Sequence, residues 1–349
     1  LKKVLIVLWL LIISIAFSSC GIKANTKVND EIDINKVVSL KEKQFPVGFD
    51  PYKKKVLLAI YDENNKISLG FYDIKSTKTE IVVKPVDYSK NIKSAVTDGK
   101  YIGWVEASDN MGMWGDDWRI YIKDLNTQDL KMIAKSKFGE DDVLNNQFSV
   151  EPHLSINNGK LVWSTYESDG DNKSSSIFLY DLKENKQKII QTLKGNDNYH
   201  FSSPHIYGNY IVWDESKISG QEDIGGVYLY SIAENKTLKL SEQGAFSNIW
   251  GDNVVWVEKN KKAILYNIKS KKKIEIPTYS SEVWAVSLNK DYVTWYSNNS
   301  SMKVYNIFKN KTQLINIPII SGPTIYYDIL TWVQNEDGKA IPKFLLLYN

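Results

Sequence analysis

The chain has very little cysteine: one in 349 residues, Cys20. No intrachain disulfide can form, and cysteine-rich zinc knuckles and cysteine-nucleophile chemistry in the folded body are excluded. Histidine is also scarce, at three residues. Several catalytic signatures are missing. There is no Gly-rich phosphate loop, no Gly-x-Ser-x-Gly elbow and no His-Glu-x-x-His pair. No stretch after residue 20 repeats its apolar residues with helical spacing, so no helix of any length is expected there. Net charge is also small. The formal value of +3 drops by two when Lys2 and Lys3 at the N-terminus are set aside. The basic residues look unclustered along the sequence, so no nucleic-acid partner is expected. The run Lys271-Lys272-Lys273 reads as a solvated hairpin turn.

What is present is a repeat. Residues 159–190 show it most clearly: a Gly-containing turn, an apolar run ending in Trp163, a polar segment, and an alternating run ending Tyr180-Asp181-Leu182. A polar turn and a short apolar run follow. This pattern predicts consecutive antiparallel strands joined by hairpins. Two anchors track it along the chain. A Trp closes the second strand at Trp104, Trp163, Trp213, Trp256, Trp295 and Trp332, with Ala59 in that place in the first copy. A Tyr-Asp-Ile-like end closes the third, as at Tyr72-Asp73-Ile74, Tyr266-Asn267-Ile268 and Tyr305-Asn306-Ile307.

Seven copies of about 40–50 residues predict a seven-bladed β-propeller of four-stranded antiparallel blades. A small twisted sheet cannot bury both faces alone, and radial stacking buries them, with Trp and Tyr filling the wedges. The last copy lacks a fourth strand, while residues 35–40 (NKVVSL) look like an orphan one. The N-terminal strand is therefore expected to complete the last blade and remove two sheet edges.

The N-terminus carries a second signal. Lys2-Lys3 precede an apolar stretch at 4–17, and Phe17-Ser18-Ser19-Cys20 closes it with small residues before the cysteine. This resembles the bacterial lipoprotein signal, with Phe17 where the pattern usually has Leu. The alternatives are an ordinary signal peptide or a transmembrane anchor, for which the run is short. The resemblance implies a signal peptide at 1–19, a lipidated Cys20 with a polar tether at 20–33, and the propeller at 34–349. It places the protein on the extracytoplasmic face of a cell membrane, held through its N-terminal lipid. The repeat resembles the TolB-like propeller family, with Asn157-Asn158-Gly159 and Gly251-Asp252-Asn253 in place of that family's Ser-Pro-Asp-Gly turn. Members of that family mostly bind proteins, and some are enzymes. A monomer is expected.

The long connections fall on one side of the ring: Ser108–Trp118, Lys135–Glu151, Ser168–Ser176, Lys194–Pro204 and Ser216–Gly226. Long loops on a rigid scaffold are where binding concentrates. Trp114 and Trp118 lie outside the repeat positions and, with Tyr199 and Glu151, are candidates for gripping a protein or an envelope saccharide. The alternative for the two indoles is packing of their own loop. His153, His200 and His205 fall in the same sector. Together with Glu151 they suit a divalent metal, and a metal-dependent carbohydrate lyase or hydrolase is the second functional reading. Their bland alternative is channel lining satisfied by water or backbone. Asp169 and Asp171 lack the full ligand spacing of a calcium loop. Glu106, Glu215 and Glu258, each two residues beyond an anchor Trp, could pair as acid and base across the channel.

Overall fold

The computed structural model describes residues 32–108, 117–139, 147–194, 199–217, 225–259, 261–278, 282–297 and 301–348; side chains at 199–200 and 216–217 are not described. Asp33–Asn349 forms one compact unit. Among the described residues it is built almost entirely of antiparallel strands, preceded by one 3-10 turn at Ile34–Lys36. The innermost strands stand side by side in chain order: Gln44–Asp50, Lys90–Thr97, Leu154–Asn157, His205–Tyr207, Lys236–Trp250, Trp284–Leu288 and Ile319–Tyr326. The last of these touches the first again, so the sheets close into a ring.

Sheets and sequence copies do not correspond one to one, and the expectation of seven separate four-stranded blades is corrected. The described strands form four four-stranded sheets, one five-stranded sheet and one eight-stranded sheet, so five stand as discrete blades. The copies carrying Trp213 and Trp256 share the eight-stranded sheet. They are joined by the strand Lys236–Trp250, which pairs with Gly225–Ser231 along its first part and with Asn253–Glu258 along its second. The cause is visible in the chain. Elsewhere a proline stands between the last strand of one copy and the first of the next, at Pro85, Pro152, Pro204, Pro277 and Pro318. Residues 236–250 contain none. Proline cannot donate to a ladder and so ends it. Without one the strand runs on and turns at a bulge, where the register shifts between Ala245 and Asn248 and Phe246 takes φ 56°.

The ends of the chain meet in one sheet. Val38–Ser39 pairs antiparallel with Lys339–Leu346, placing Val38 opposite Phe344. Three of the expected long connections are partly ladder. Ser168–Ser176 belongs to two long strands, Lys160–Asp169 and Asn172–Asp181, joined at Gly170-Asp171. The lead-ins at 135–151 and 194–204 contain the short strands Gln147–Ser149 and Tyr199–Phe201, which pair with the ends of the strands beyond.

The core lies between neighbouring sheets. Leu57, Leu69 and Phe71 of one pack with Ile102, Trp104 and Tyr121 of the next, and similar mixed clusters recur around the ring. The anchor indoles are buried, and three of them stack on aromatics of the third strands: Trp104–Tyr121 at 5.5 Å, Trp163–Phe178 at 5.3 Å and Trp213–Tyr228 at 5.7 Å. Fully burying one aromatic side chain contributes about 1.5–3 kcal/mol.

The carboxylates beyond these indoles serve the blades. Glu106 is 0 % exposed. It accepts the Trp104 indole N–H at 2.8 Å and the backbone N–H groups of Val86 and Asp87 at 2.7 and 3.1 Å. Glu258 accepts from Trp256, Ser241 and Lys273. Glu215 bonds the Tyr228 hydroxyl instead, and the Trp213 indole has no acceptor among the described residues. The expected acid–base pairing across the channel is therefore replaced by bonds within blades. Glu106→Ala strands three donors in the interior. It should cost about 2–4 kcal/mol of stability, read as a lower urea midpoint at unchanged slope; an unchanged midpoint would remove Glu106 from this role.

Candidate functional site

The innermost strands enclose a channel cavity of about 160 Å³, lined among others by Val47, Val96, Ser155, His205, Asn248 and Ser287. At one end it is closed by aromatic rings from three innermost-strand ends. Tyr207 lies 4.6 Å from Trp250, and Trp250 meets Tyr327 edge-on at 4.9 Å. The Tyr327 hydroxyl bonds the Asn157 side chain on another sheet, and Asn157 Oδ1 accepts the Gly208 backbone N–H at 2.8 Å. Tyr327 holds φ 52°, an uncommon conformation for a bulky residue. Burial pushes its hydroxyl pKa up.

His153 and His205 precede or begin equivalent innermost strands, Leu154–Asn157 and His205–Tyr207. His153 is exposed and His205 half-buried. Desolvation, and next the neighbouring His153, lower the His205 pKa to about 4. Glu151 is half-buried. Tyr199 and His200 lie on a strand paired with Lys217 and Ser216, but their side chains fall outside the described residues. The described donors thus give two imidazoles, and no group of three His, Cys, Asp or Glu able to hold a metal occurs among the described residues. A divalent ion of this kind takes four or more donors, so the described residues alone do not fit it.

The indole platform is corrected in one half. Trp118 is 3 % exposed, packs with Val105, Ala107 and Ile120, and donates its indole N–H to Ser149 Oγ at 2.9 Å. It pins the end of its connection against the next sheet and offers no open ring face. Buried Lys90 holds the same end through Asp117 and Ser108 Oγ. Trp114 lies outside the described residues, as does most of the Ser216–Gly226 connection, at 218–224.

A feature missed in the sequence lies beside Trp118's sheet. A cavity of about 530 Å³ is lined by Lys137, Phe138, Glu167, Asp169, Asp171 and Lys194, among others. Two carboxylates on its wall are pushed in opposite directions. Desolvation raises the Glu167 pKa above its ordinary value, only partly offset by Lys137. Hydrogen bonds from Gln147 at 2.6 Å and Lys137 at 3.0 Å lower that of Asp169. Strand alternation places Glu167 and Asp169 on one side of their strand. The arrival of Lys137 from the preceding sheet is tertiary, and nothing local signals it.

Comparison with solved structures locates the architecture. An oligogalacturonate lyase from Vibrio parahaemolyticus aligns over 90 % of this chain and 94 % of its own, at 10 % identity and TM-score 0.57. An oligogalacturonate lyase in complex with manganese aligns over 89 % and 90 %, at 10 % identity and TM-score 0.58. The β-propeller domain of the Trilobed protease from Pyrococcus furiosus aligns over 90 % and 96 %, at 12 % identity and TM-score 0.54. The ring is a β-propeller. At these identities the likeness shows that fold and nothing finer. No protein-family model matches the chain, and no curated protein sequence matches it.

His205 gives a pH test. Its folded pKa lies below the unfolded value of 6.5, so the unfolded chain takes up the proton first as pH falls. The propeller should lose on the order of 2–3 kcal/mol between about pH 6.5 and 4 from this group. His205→Gln should flatten that part of the stability profile. An identical profile in the variant would show that acid sensitivity arises elsewhere.

Proposed function

We propose that this protein is a binding propeller, held at the extracytoplasmic face of a membrane through lipid on Cys20, that takes a saccharide or a polar segment of a protein on its long-connection side. The observation that carries this reading is the 530 Å³ cavity edged by Lys137, Glu167, Asp169 and Lys194. Its volume lies in the range that small ligands occupy, and its walls present donors and acceptors of both signs, as a hydroxyl-rich ligand requires. The TolB-like resemblance of the repeat and the sequence placement of the long connections point the same way. Trp118 contributes by fixing the wall of this sector, and Trp114 remains the candidate ring.

A second reading, a metal-dependent carbohydrate lyase, is favoured by the adjacency of His153 and His205 and by the manganese-bound oligogalacturonate lyase of similar fold. A His153→Ala/His205→Ala variant that keeps its metal content, and its cleavage of oligogalacturonate if any is found, would remove it.

Two measurements test the main reading. Cys20→Ala should abolish incorporation of labelled fatty acid and shift the protein from the membrane to the soluble fraction; retention at the membrane would exclude the lipid anchor. Glu167→Gln combined with Lys137→Ala should weaken, by about tenfold or more, capture of whichever ligand a screen of acidic and neutral oligosaccharides yields, since one charged and one neutral hydrogen bond are lost. Unchanged capture would move the binding site away from this cavity.

A further inference from the structure

The antiparallel order of each sheet sorts its turns between two faces of the ring. Turns after first strands and turns after third strands share one face. Residues far apart in the chain meet there. The first-strand turns contribute Lys53, Lys54, Lys100 and Lys290, all exposed. The third-strand turns contribute exposed lysines at Lys75, at Lys183, at Lys236, along Lys271–Lys273 and at Lys309. The exposed carboxylates in the same turns are Asp129, Glu184 and Glu234. Half-buried Asp328 and Asp252 pair with Lys54 and Lys269, and Lys273 pairs with Glu258. Other carboxylates are occupied by the fold. Asp50, Asp98 and Asp291 are buried. Asp73, Asp124 and Asp181 accept backbone N–H groups of their own turns. Exposed lysines stand on the other side too, as at Lys41, Lys84, Lys137, Lys194, Lys259 and Lys261, but there exposed Glu42, Asp62, Glu63, Asp171, Glu242 and Asp337 offset them, so the two sides differ in their balance of charge.

Two further observations fall on that face. Large apolar side chains stand exposed among the lysines: Tyr52 at 74 %, Phe308 at 66 % and Ile34 at 47 %. The chain also enters the ring there. Val38–Ser39 is an edge strand antiparallel to Lys339–Leu346, and Asp33–Lys36 precedes it at the end where Leu346–Tyr348 emerges. Asp33–Lys36 therefore lies on the lysine-rich side. The opposite side carries the mouth with His153 and His205 and the cavity at Lys137 and Glu167.

We propose that the lysine-rich face docks on the anionic phospholipid surface of the membrane, with Tyr52, Phe308 and Ile34 entering the headgroup layer and the mouth turned away from it. Each lysine close to an anionic membrane adds to the attraction, which fades within a Debye length. Exposed aromatic and aliphatic side chains among cations are what an interfacial surface requires. This orientation rests on the membrane-anchored reading above and adds a second contact, made by the folded ring itself. One weakly held chain and a basic patch together give the stable attachment that neither gives alone.

The test uses the full chain and sedimentation with vesicles of phosphatidylcholine alone or with 30 % phosphatidylglycerol. Both sets of measurements share the same N-terminus, so anchoring cancels in the ratio of the two affinities. The ratio should favour the anionic vesicles and fall with added salt. The variant Lys75→Glu/Lys183→Glu/Lys271→Glu/Lys272→Glu should lower it by at least about tenfold. Lys84→Glu/Lys261→Glu, on the opposite face, should leave it unchanged; melting temperature checks that both variants fold. A ratio near one in the native protein, a ratio unaffected by the fourfold variant, or an equal drop in both variants would overturn the proposal. Retention by soluble polyphosphate or DNA without any preference among the vesicles would assign the face to a soluble polyanion instead. None of these outcomes bears on fatty-acid labelling of Cys20, so failure of the docking and failure of the anchor are told apart.

Discussion

The whole ring depends on one constraint: a twisted sheet of four strands has two apolar faces and no means of covering either by itself. Every sheet here covers its faces with its neighbours. The anchor tryptophans sit where the wedge between sheets must be filled; interior clusters draw on two sheets, or on the two halves of the eight-stranded one. The requirement is circular, because the first and last sheets must also meet. Leu40, Phe49 and Leu58 of the first part of the chain share a cluster with Ile329 and Phe344 of the last. Pairing of Val38–Ser39 with the final strand adds backbone bonds to that apolar contact.

Because indoles do the filling, their N–H groups need partners in places water does not reach. The chain answers this unevenly. Glu106, Glu258 and Gln334, each two residues beyond its indole, accept from it, whereas Glu215 turns to Tyr228 and leaves the Trp213 indole without an acceptor among the described residues. Where Thr165 or Ser297 stands at that place, the indole has no acceptor among them either. A carboxylate at this spacing therefore speaks of the core. Charges that are neither core nor turn are left for the two faces of the disc, and these differ: one closed by Tyr207, Trp250 and Tyr327 and rimmed by lysine, the other carrying the mouth, the long connections and the larger cavity.

The fold was readable because its determinants are local and repeated. Period-two alternation, a Trp in one strand and a Tyr-Asp or Tyr-Asn at the end of another mark most strands without knowledge of their neighbours, although the Trp stands inside its strand, as in Tyr101–Ser108 and Lys160–Asp169, and does not close it. The Asp and Asn after Tyr do cap turns, as at Asp73, Asp181 and Asn306. The division into blades was less readable, since it depends on whether one strand stops. The missing proline between residues 236 and 250 was the available sign. The candidate site was legible only as a sector. Trp118 reads the same in sequence whether it faces solvent or Ser149, and Glu167 acquires its raised pKa from burial that strand spacing does not report.

The strand Lys236–Trp250 has a mechanical consequence. Where proline interrupts the backbone, neighbouring sheets are held by side chains and can slip or part while each keeps its own ladder. Across residues 236–250 the ladders share one strand. That strand cannot leave one set of partners without straining the other, so this arc of the disc behaves as a stiff splint. Bending of the ring, whether by thermal breathing or by a pull on the chain, concentrates in the proline-bearing joints on the remaining arc, which includes the walls of the larger cavity.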